Sequence, residues 1–282
     1  MDTGGYAGFE IELHEPGIAL FSFNQPKRLN GMSVAMKRDL VEALLQAQLD
    51  DRVRVVTFTG SGRAFSAGDD LQAYATHDGG GERRMPAIPP GHTTPIGTYA
   101  ALRGVSQALN RAVRELDKIS IAAVNGLAIQ TGLSLALACD FRIASVEARL
   151  GSATLRFGLL PDEGGQHLLV QHLGVAGALD FLMRKRIVTA QEALELGLVG
   201  EVVPHETLLP RALELAEELA RGPQVAMRLL KRSVYGAAQQ TFEQACEDIA
   251  AKTAITDHHP DVREGVKAFR EKRTPQFNAD LP

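Results

Sequence analysis

Between Ile119 and Cys139 the chain reads ISIAAVNGLAIQTGLSLALAC, a run without a charged residue that is long enough to cross a bilayer. Asn125, Gly126, Gln130, Thr131, Gly132 and Ser134 interrupt it, and its two ends carry different patterns. The run resolves into a buried strand from Ser120 to Val124, a turn at Asn125-Gly126, and a short buried helix ending at Ala138. Cys139 to Ser145 then returns as another strand. Strands that alternate with short helices in this way predict an α/β fold rather than a membrane span.

The same pattern extends outward. Phe9, Ile11 and Leu13 alternate with polar residues, His14-Glu15-Pro16-Gly17 turns the chain, and Ile18 to Phe23 returns apolar, which predicts a hairpin. Ser33 is placed to cap a helix with Met36, Leu40, Leu44 and Ala47 on one face. Val53 to Phe58 predicts a strand, followed by a glycine-containing loop from Gly60 to Asp70. Thr76 to Thr98, with Gly79-Gly80-Gly81 and four prolines, is an irregular insertion of the length that usually serves function. A helix from Tyr99 to Leu116 leads back to the opening stretch. Downstream, a short helix is expected over Gln166 to Leu173. Thr189 with Glu192 forms a capping box, Gly197 ends that helix, and Leu198 to Val203 is a strand. Helices fill the remainder, with Thr241 and Gln244 as a second box. We divide the chain into a core, residues 1–203, and a helical region, residues 204–282.

The composition of the 282 residues, 45% hydrophobic and 23% charged with a net charge of −4, suits a globular protein and gives no broad positive field for nucleic acid. Two cysteines, Cys139 and Cys246, supply neither a disulfide framework nor a thiolate metal cage, and suit a reducing, cytoplasmic setting. Met1 to Glu10 lacks the order of a secretory signal. The histidines never adopt zinc-hydrolase spacing, and no phosphate loop, dinucleotide fingerprint or nucleophile elbow is present. What remains is two strand-to-helix junctions, Gly62 to Leu71 and Ala123 to Gly132. The unpaired amides at such helix starts can hold an oxyanion if two of them converge, and glycine admits a substrate close to the backbone. Tight turns without a ligand explain the same spacing.

Several ordered motifs carry a resemblance. They are Asn24-Gln25-Pro26-Lys27-Arg28-Leu29-Asn30, Gly62-Arg63-Ala64-Phe65-Ser66-Ala67-Gly68-Asp69-Asp70-Leu71, Ala122-Ala123-Val124-Asn125-Gly126, Ala138-Cys139-Asp140-Phe141-Arg142-Ile143-Ala144, and Gly197-Leu198-Val199. In these the chain resembles the crotonase superfamily, the enoyl-CoA hydratase/isomerase family, over nearly its whole length. The resemblance implies a spiral of ββα units, a C-terminal helical trimerisation region, and homotrimers that can pair into hexamers. It also implies an acyl-CoA thioester substrate, with coenzyme A as part of the substrate and no other cofactor, nucleic acid or membrane partner. The thioester oxygen would meet the amides of Asp69 and Thr131. Ala67, Asp69, Asp70, Leu71 and Gln72 would line the CoA site, and Lys27, Arg28 and Lys272 would face its phosphates.

The two glutamates with which hydratases of this family activate water would fall at Ser134 and Thr154, whose hydroxyls are not bases at neutral pH. The second amide, usually glycine, belongs to Thr131. The nearest acids are Asp162 and Glu163. Asp162 stands where some enoyl-CoA isomerases of the family place a single catalytic acid, and it reads equally as the N-cap of the following helix. Asp69 is a further candidate. Isomerisation or atypical hydration of an enoyl-CoA is therefore expected. The alternatives are a catalytically silent acyl-CoA binder, or CoA-ester hydrolysis, decarboxylation or dehalogenation.

Overall fold

The computed structural model describes residues 1–70 and 94–279; residues 71–93 and 280–282, with Leu71, Gln72 and most of the Thr76 to Thr98 insertion, lie outside the described residues. Strands β1 (Phe9–His14) and β2 (Ile18–Phe23) form the expected antiparallel hairpin. Phe9 and Ile11 point into the core, whereas Leu13, expected on the same face, is 46% exposed at the sheet edge. Strands β3 (Val55–Gly60), β5 (Ile119–Val124), β7 (Phe141–Ser145) and β10 (Glu201–Val203) add in parallel, giving the order β1-β2-β3-β5-β7-β10. All six residues of β5 are buried, as a central parallel strand covered on both faces must be. That double cover explains the uncharged run, and no helix among the described residues is long and apolar enough to cross a membrane.

Each of three central strands turns into a short strand of a second sheet: β3 into β4 (Ala64–Ser66), β5 into β6 (Leu127–Ile129), β7 into β8 (Arg149–Gly151). With β9 (Ile187–Thr189) the second sheet runs β4-β6-β8-β9. The two sheets thus advance in step, one ββ unit at a time. The turns between them are held by the asparagines of the quoted motifs. Asn125 Nδ2 donates to the carbonyls of Gly62 (2.8 Å) and Ala64 (3.2 Å), and Asn30 Nδ2 donates to those of Ser61 (3.0 Å) and Ala64 (2.7 Å). A Cβ on Gly126 would lie 2.2 Å from the Arg63 carbonyl oxygen, so only glycine lets the two turns cross.

Helix α1 (Val34–Leu49) starts where Ser33 Oγ accepts the Met36 N–H, and buries Met36, Leu40, Ala43, Leu44 and Ala47. They face a core containing Phe21, Phe23, Phe58 and Phe65. The helix expected from Tyr99 begins earlier, at Pro95, because Thr94 Oγ1 caps it by accepting the Gly97 N–H. It runs as α2 (Pro95–Ala101), a π-helical turn (Leu102–Ser106) and α3 (Gln107–Glu115). Helix α4 (Thr131–Ala138) is wholly buried.

Three further expectations are corrected. Helix α5 (Gly165–Met183) is capped by Gly164 in the left-handed conformation without a side-chain cap, so Asp162 is not its N-cap. The chain also does not stop at Leu173; it kinks at Gly174, whose positive φ glycine adopts without strain, and continues. The strand expected from Leu198 begins at Glu201, because Gly197 and Leu198 close the end of α6 (Ala190–Glu195) by donating to the carbonyls of Leu194 and Ala193. Beyond β10, α7 (Leu208–Ala220) lays Ala212 and Ala216 on the large sheet, and α8 (Gln224–Ala237), α9 (Phe242–Asp257) and α10 (Pro260–Glu271) follow.

Candidate active site

The connection leaving β4 and the start of α4 press against one another. A Cβ on Gly132 would lie 2.2 Å from the Ser66 carbonyl oxygen, and one on Gly68, where φ is +99°, would lie 3.1 Å from that of Ile129. Glycine at both positions therefore sets how closely the two backbones approach. The Gly68 carbonyl accepts from Met32 and the Asp70 N–H donates to Met32, as a short parallel bridge. Extended backbone alternates its donors, so the Asp69 N–H faces away from Met32. The Thr131 N–H is the first of α4 and has no carbonyl within its own helix.

The residue before Thr131 carries the strain. Gln130 adopts φ 51° and ψ −108°, outside the usual regions for a side-chain-bearing residue, at a cost of about 1–3 kcal/mol. Its polar atoms are all engaged. The N–H donates to the Gly151 carbonyl (2.9 Å), Oε1 accepts from Ser152 (2.7 Å) and Thr154 (3.2 Å), and Nε2 donates to Glu163 Oε2 (3.0 Å). Thr131 itself adopts helical backbone, so its replacement of glycine requires no special conformation; the demand has moved to Gln130.

Around this junction the structure gathers an ionisable cluster. Thr131 Oγ1 lies 2.6 Å from Asp69 Oδ1 and 2.7 Å from Glu163 Oε1. Lys37 Nζ lies 2.6 Å from Asp69 Oδ1 and donates to Ser106 Oγ at 3.0 Å, with its side chain fully buried. Two amides on α3 hold the acidic loop from behind: Gln107 Nε2 donates to the Asp162 carbonyl and Asn110 Nδ2 to that of Glu163, both at 3.0 Å. Burial, reinforced by the Asp69 charge, pushes the Asp162 carboxyl above the ordinary aspartate range. Glu163, 3% exposed, is raised by burial and then by the charges of Asp162 and Asp69, against the hydrogen bond from Thr131.

Of the residues singled out in the sequence, Asp69, Thr131, Asp162 and Glu163 come together. Ala67 lies on the connection beside them, its N–H on the Leu29 carbonyl. Ser134 is buried under the start of α5, where a Cβ on Gly165 would come within 2.2 Å of its hydroxyl. Thr154 reaches the site only through Gln130. Among the described residues, neither hydroxyl has a base hydrogen-bonded to it. Arg28 donates to buried Asp70 at 2.7 Å, while Lys27 is exposed on the same short turn, Pro26–Arg28. Lys272 occupies the exposed C-cap of α10, apart from this cluster. Leu71 and Gln72 lie outside the described residues.

Lys37, Gln130, Gln107 and Asn110 were missed. The signal available for Lys37 was a charge beside the apolar stripe of Met36 and Leu40. Nothing local marked the amides: the targets of Gln107 and Asn110 are more than fifty residues away, and Glu163 lies 33 residues from Gln130.

The connection leaving β4, the start of α4 and a buried acidic loop meet in one place, an arrangement that can hold an anionic centre next to an acid–base group. Comparison with known proteins places the chain: the family model described as enoyl-CoA hydratase/isomerase matches residues 14–86 and 91–280, and the chain belongs to that family. It is 34% identical over 266 residues to the 1,2-epoxyphenylacetyl-CoA isomerase of Escherichia coli, covering 93% of this chain and 95% of the relative. The 2,3-dehydroadipyl-CoA hydratase of the same organism is 32% identical over 264 residues, covering 92% and 94%. Among solved structures, the enoyl-CoA hydratase from Bacillus anthracis superposes with a TM-score of 0.86 at 32% identity, over 96% of this chain and 99% of that one. The crotonase fold and its two-sheet ββα spiral are thus shared.

Proposed function

We infer that the protein is an acyl-CoA enzyme that stabilises a thioester enolate and moves a proton, and that double-bond isomerisation of an enoyl-CoA is its reaction. The thioester oxygen binds the amides of Asp69 and Thr131, and Asp162 carries the proton. The observation that bears most weight is the contact of the connection leaving β4 with the start of α4, Gly132 on Ser66 and the Thr131 side chain on Asp69, which supports a common target for the two amides. Donors aimed at the oxygen where charge develops are the largest single contribution to such reactions. Asp162, raised by burial, is suited to take a weakly acidic α-proton and return it at the γ carbon. Hydration through two glutamates is disfavoured, because Ser134 and Thr154 stand in their places with no base behind them.

The remaining assignments follow from the same reading. Lys27 and Arg28 serve the CoA phosphates and Ala67 and Asp70 line the approach, with Lys272 reaching the CoA of a neighbouring subunit. No cofactor is required beyond the CoA of the substrate. Helices α9 and α10 leave Phe242, Ile249, Ile255, Val262 and Phe269 exposed, which supports assembly into a trimer or hexamer through residues 204–282. Free Cys139 and Cys246 suit the cytoplasm.

The test is α-proton exchange: a panel of acyl-CoAs in deuterated water, followed by mass. Label uptake without net mass change beyond exchange supports isomerisation. Binding by calorimetry with no exchange in any ester overturns it in favour of a silent acyl-CoA binder. A product of different mass identifies hydration, hydrolysis, decarboxylation or dehalogenation instead.

A further inference from the structure

The hydroxyl of Thr131 stands between two carboxyl oxygens, 2.6 Å from Asp69 and 2.7 Å from Glu163. A hydroxyl has one hydrogen and donates it once. The other contact is a hydrogen bond only if that carboxyl is itself protonated and donates to Oγ1; two carboxylates around one hydroxyl would leave a bare oxygen–oxygen repulsion. The surroundings choose which carboxyl holds the proton. Asp69 lies against the Lys37 ammonium at 2.6 Å, which favours its ionised form. Glu163 is 3% exposed and meets neutral partners, the Thr131 hydroxyl and the Gln130 amide. The carboxyls of Asp162 and Asp69 face it, and on the α3 side stand the neutral amides of Gln107 and Asn110.

We propose that Glu163 is a neutral carboxylic acid whose proton is donated to Thr131 Oγ1, which in turn donates to an ionised Asp69. Glu163 is then a positioning residue. It orients the Thr131 side chain and keeps the region behind the Thr131 amide free of net charge, since Lys37 cancels Asp69. Its consequence for catalysis rests on the acyl-CoA reading above; the protonation state does not. An enolate forming at that amide meets no carboxylate repulsion from behind. If Glu163 ionises at high pH, a negative charge appears one hydrogen bond from the site where the oxyanion collects.

Infrared difference spectroscopy tests the proton directly. At neutral pH the wild type minus Glu163→Gln spectrum is expected to show a protonated-carboxyl C=O band. The band persists in Asp162→Asn, which removes the neighbouring raised carboxyl, and bleaches as pH rises while the protein remains folded. Because a raised carboxyl favours folding below its unfolded value and loses that contribution as pH rises, the folding equilibrium constant of wild type should fall relative to that of Glu163→Gln by up to about tenfold per pH unit across the window. Exchange rates should show an alkaline decline in wild type that Glu163→Gln lacks. Absence of the band in both wild type and Asp162→Asn, or parallel pH–stability curves, overturns the proposal. Failure of every acyl-CoA to exchange while the band is present retires the acyl-CoA reading and leaves the shared proton standing.

Discussion

Among the described residues, two buried lysines pair with partly buried aspartates in opposite constructions. Asp140 accepts from Lys231 Nζ (2.7 Å), Tyr235 Oη (2.6 Å), and the Ser120 N–H and hydroxyl (2.8 and 2.9 Å), and Arg114 stacks over the Tyr235 ring at 3.9 Å. Donors outnumber acceptors there, and the pair ties β5 to α8. At Lys37 and Asp69 the balance is reversed: one ammonium faces Asp69, with Asp162 and Glu163 beside it. The donor-rich pair acts as a staple. Beside the other, burial and neighbouring carboxyls raise Asp162 and Glu163 above the ordinary carboxylate range, which suits a group that takes up and releases a proton. The Cys-Asp motif of the sequence therefore marks structure, while the proton transfer inferred above belongs to the cluster of carboxyls around Lys37.

Four experiments would break or sharpen that contrast. Asp162→Asn, in the acceptor-rich cluster, should lower α-proton exchange about 10²–10⁴-fold with little change in melting temperature. Asp140→Ala, in the donor-rich one, should act the opposite way: it strands a buried ammonium and should cost about 3–5 kcal/mol in urea unfolding. If Asp140→Ala instead spared stability and abolished exchange, the division of roles would fail. Gly132→Ala forces a Cβ against the Ser66 carbonyl and should cost about 1–3 kcal/mol, with a loss of exchange beyond that of unfolding as the two amides separate. Away from both clusters, Thr241→Ala removes the capping box of α9 and should cost about 1 kcal/mol without changing exchange in the folded protein.

The pH behaviour should separate the pairs as well. Exchange should rise with pH through the raised value of Asp162, because the base is its ionised form. The same carboxyl favours folding below its unfolded value of 3.8, and that contribution is lost as pH rises through the folded value. Comparing Asp162→Asn with wild type in both measurements isolates this one group.

Much of the fold was legible because its signals are local. The alternation in Phe9 and Ile11, the Ser33 cap and the Thr189 and Thr241 boxes each operate within a turn or a strand. Two of the errors share a cause. Asp162 has cap chemistry in sequence, but Gly164 turns the chain so that the helix needs no side-chain cap. Leu198 and Val199 look like strand, yet Leu198 closes the preceding helix and both lie in the core. In each case a backbone geometry that glycine permits outweighed the propensity of its neighbours.

By themselves, the residues determined the order of strands and helices and the place of two junctions, since hydrophobic period and glycine spacing act over a few residues. Through the family resemblance they also led to the expectation that Ser134 and Thr154 stand where hydratases of the family carry glutamates. Only the tertiary structure decided which acids meet. Lys37, Asp69, Thr131 and Glu163 are drawn from four separate stretches of chain, and the charge each carries depends on burial and on neighbours brought close by folding rather than by sequence.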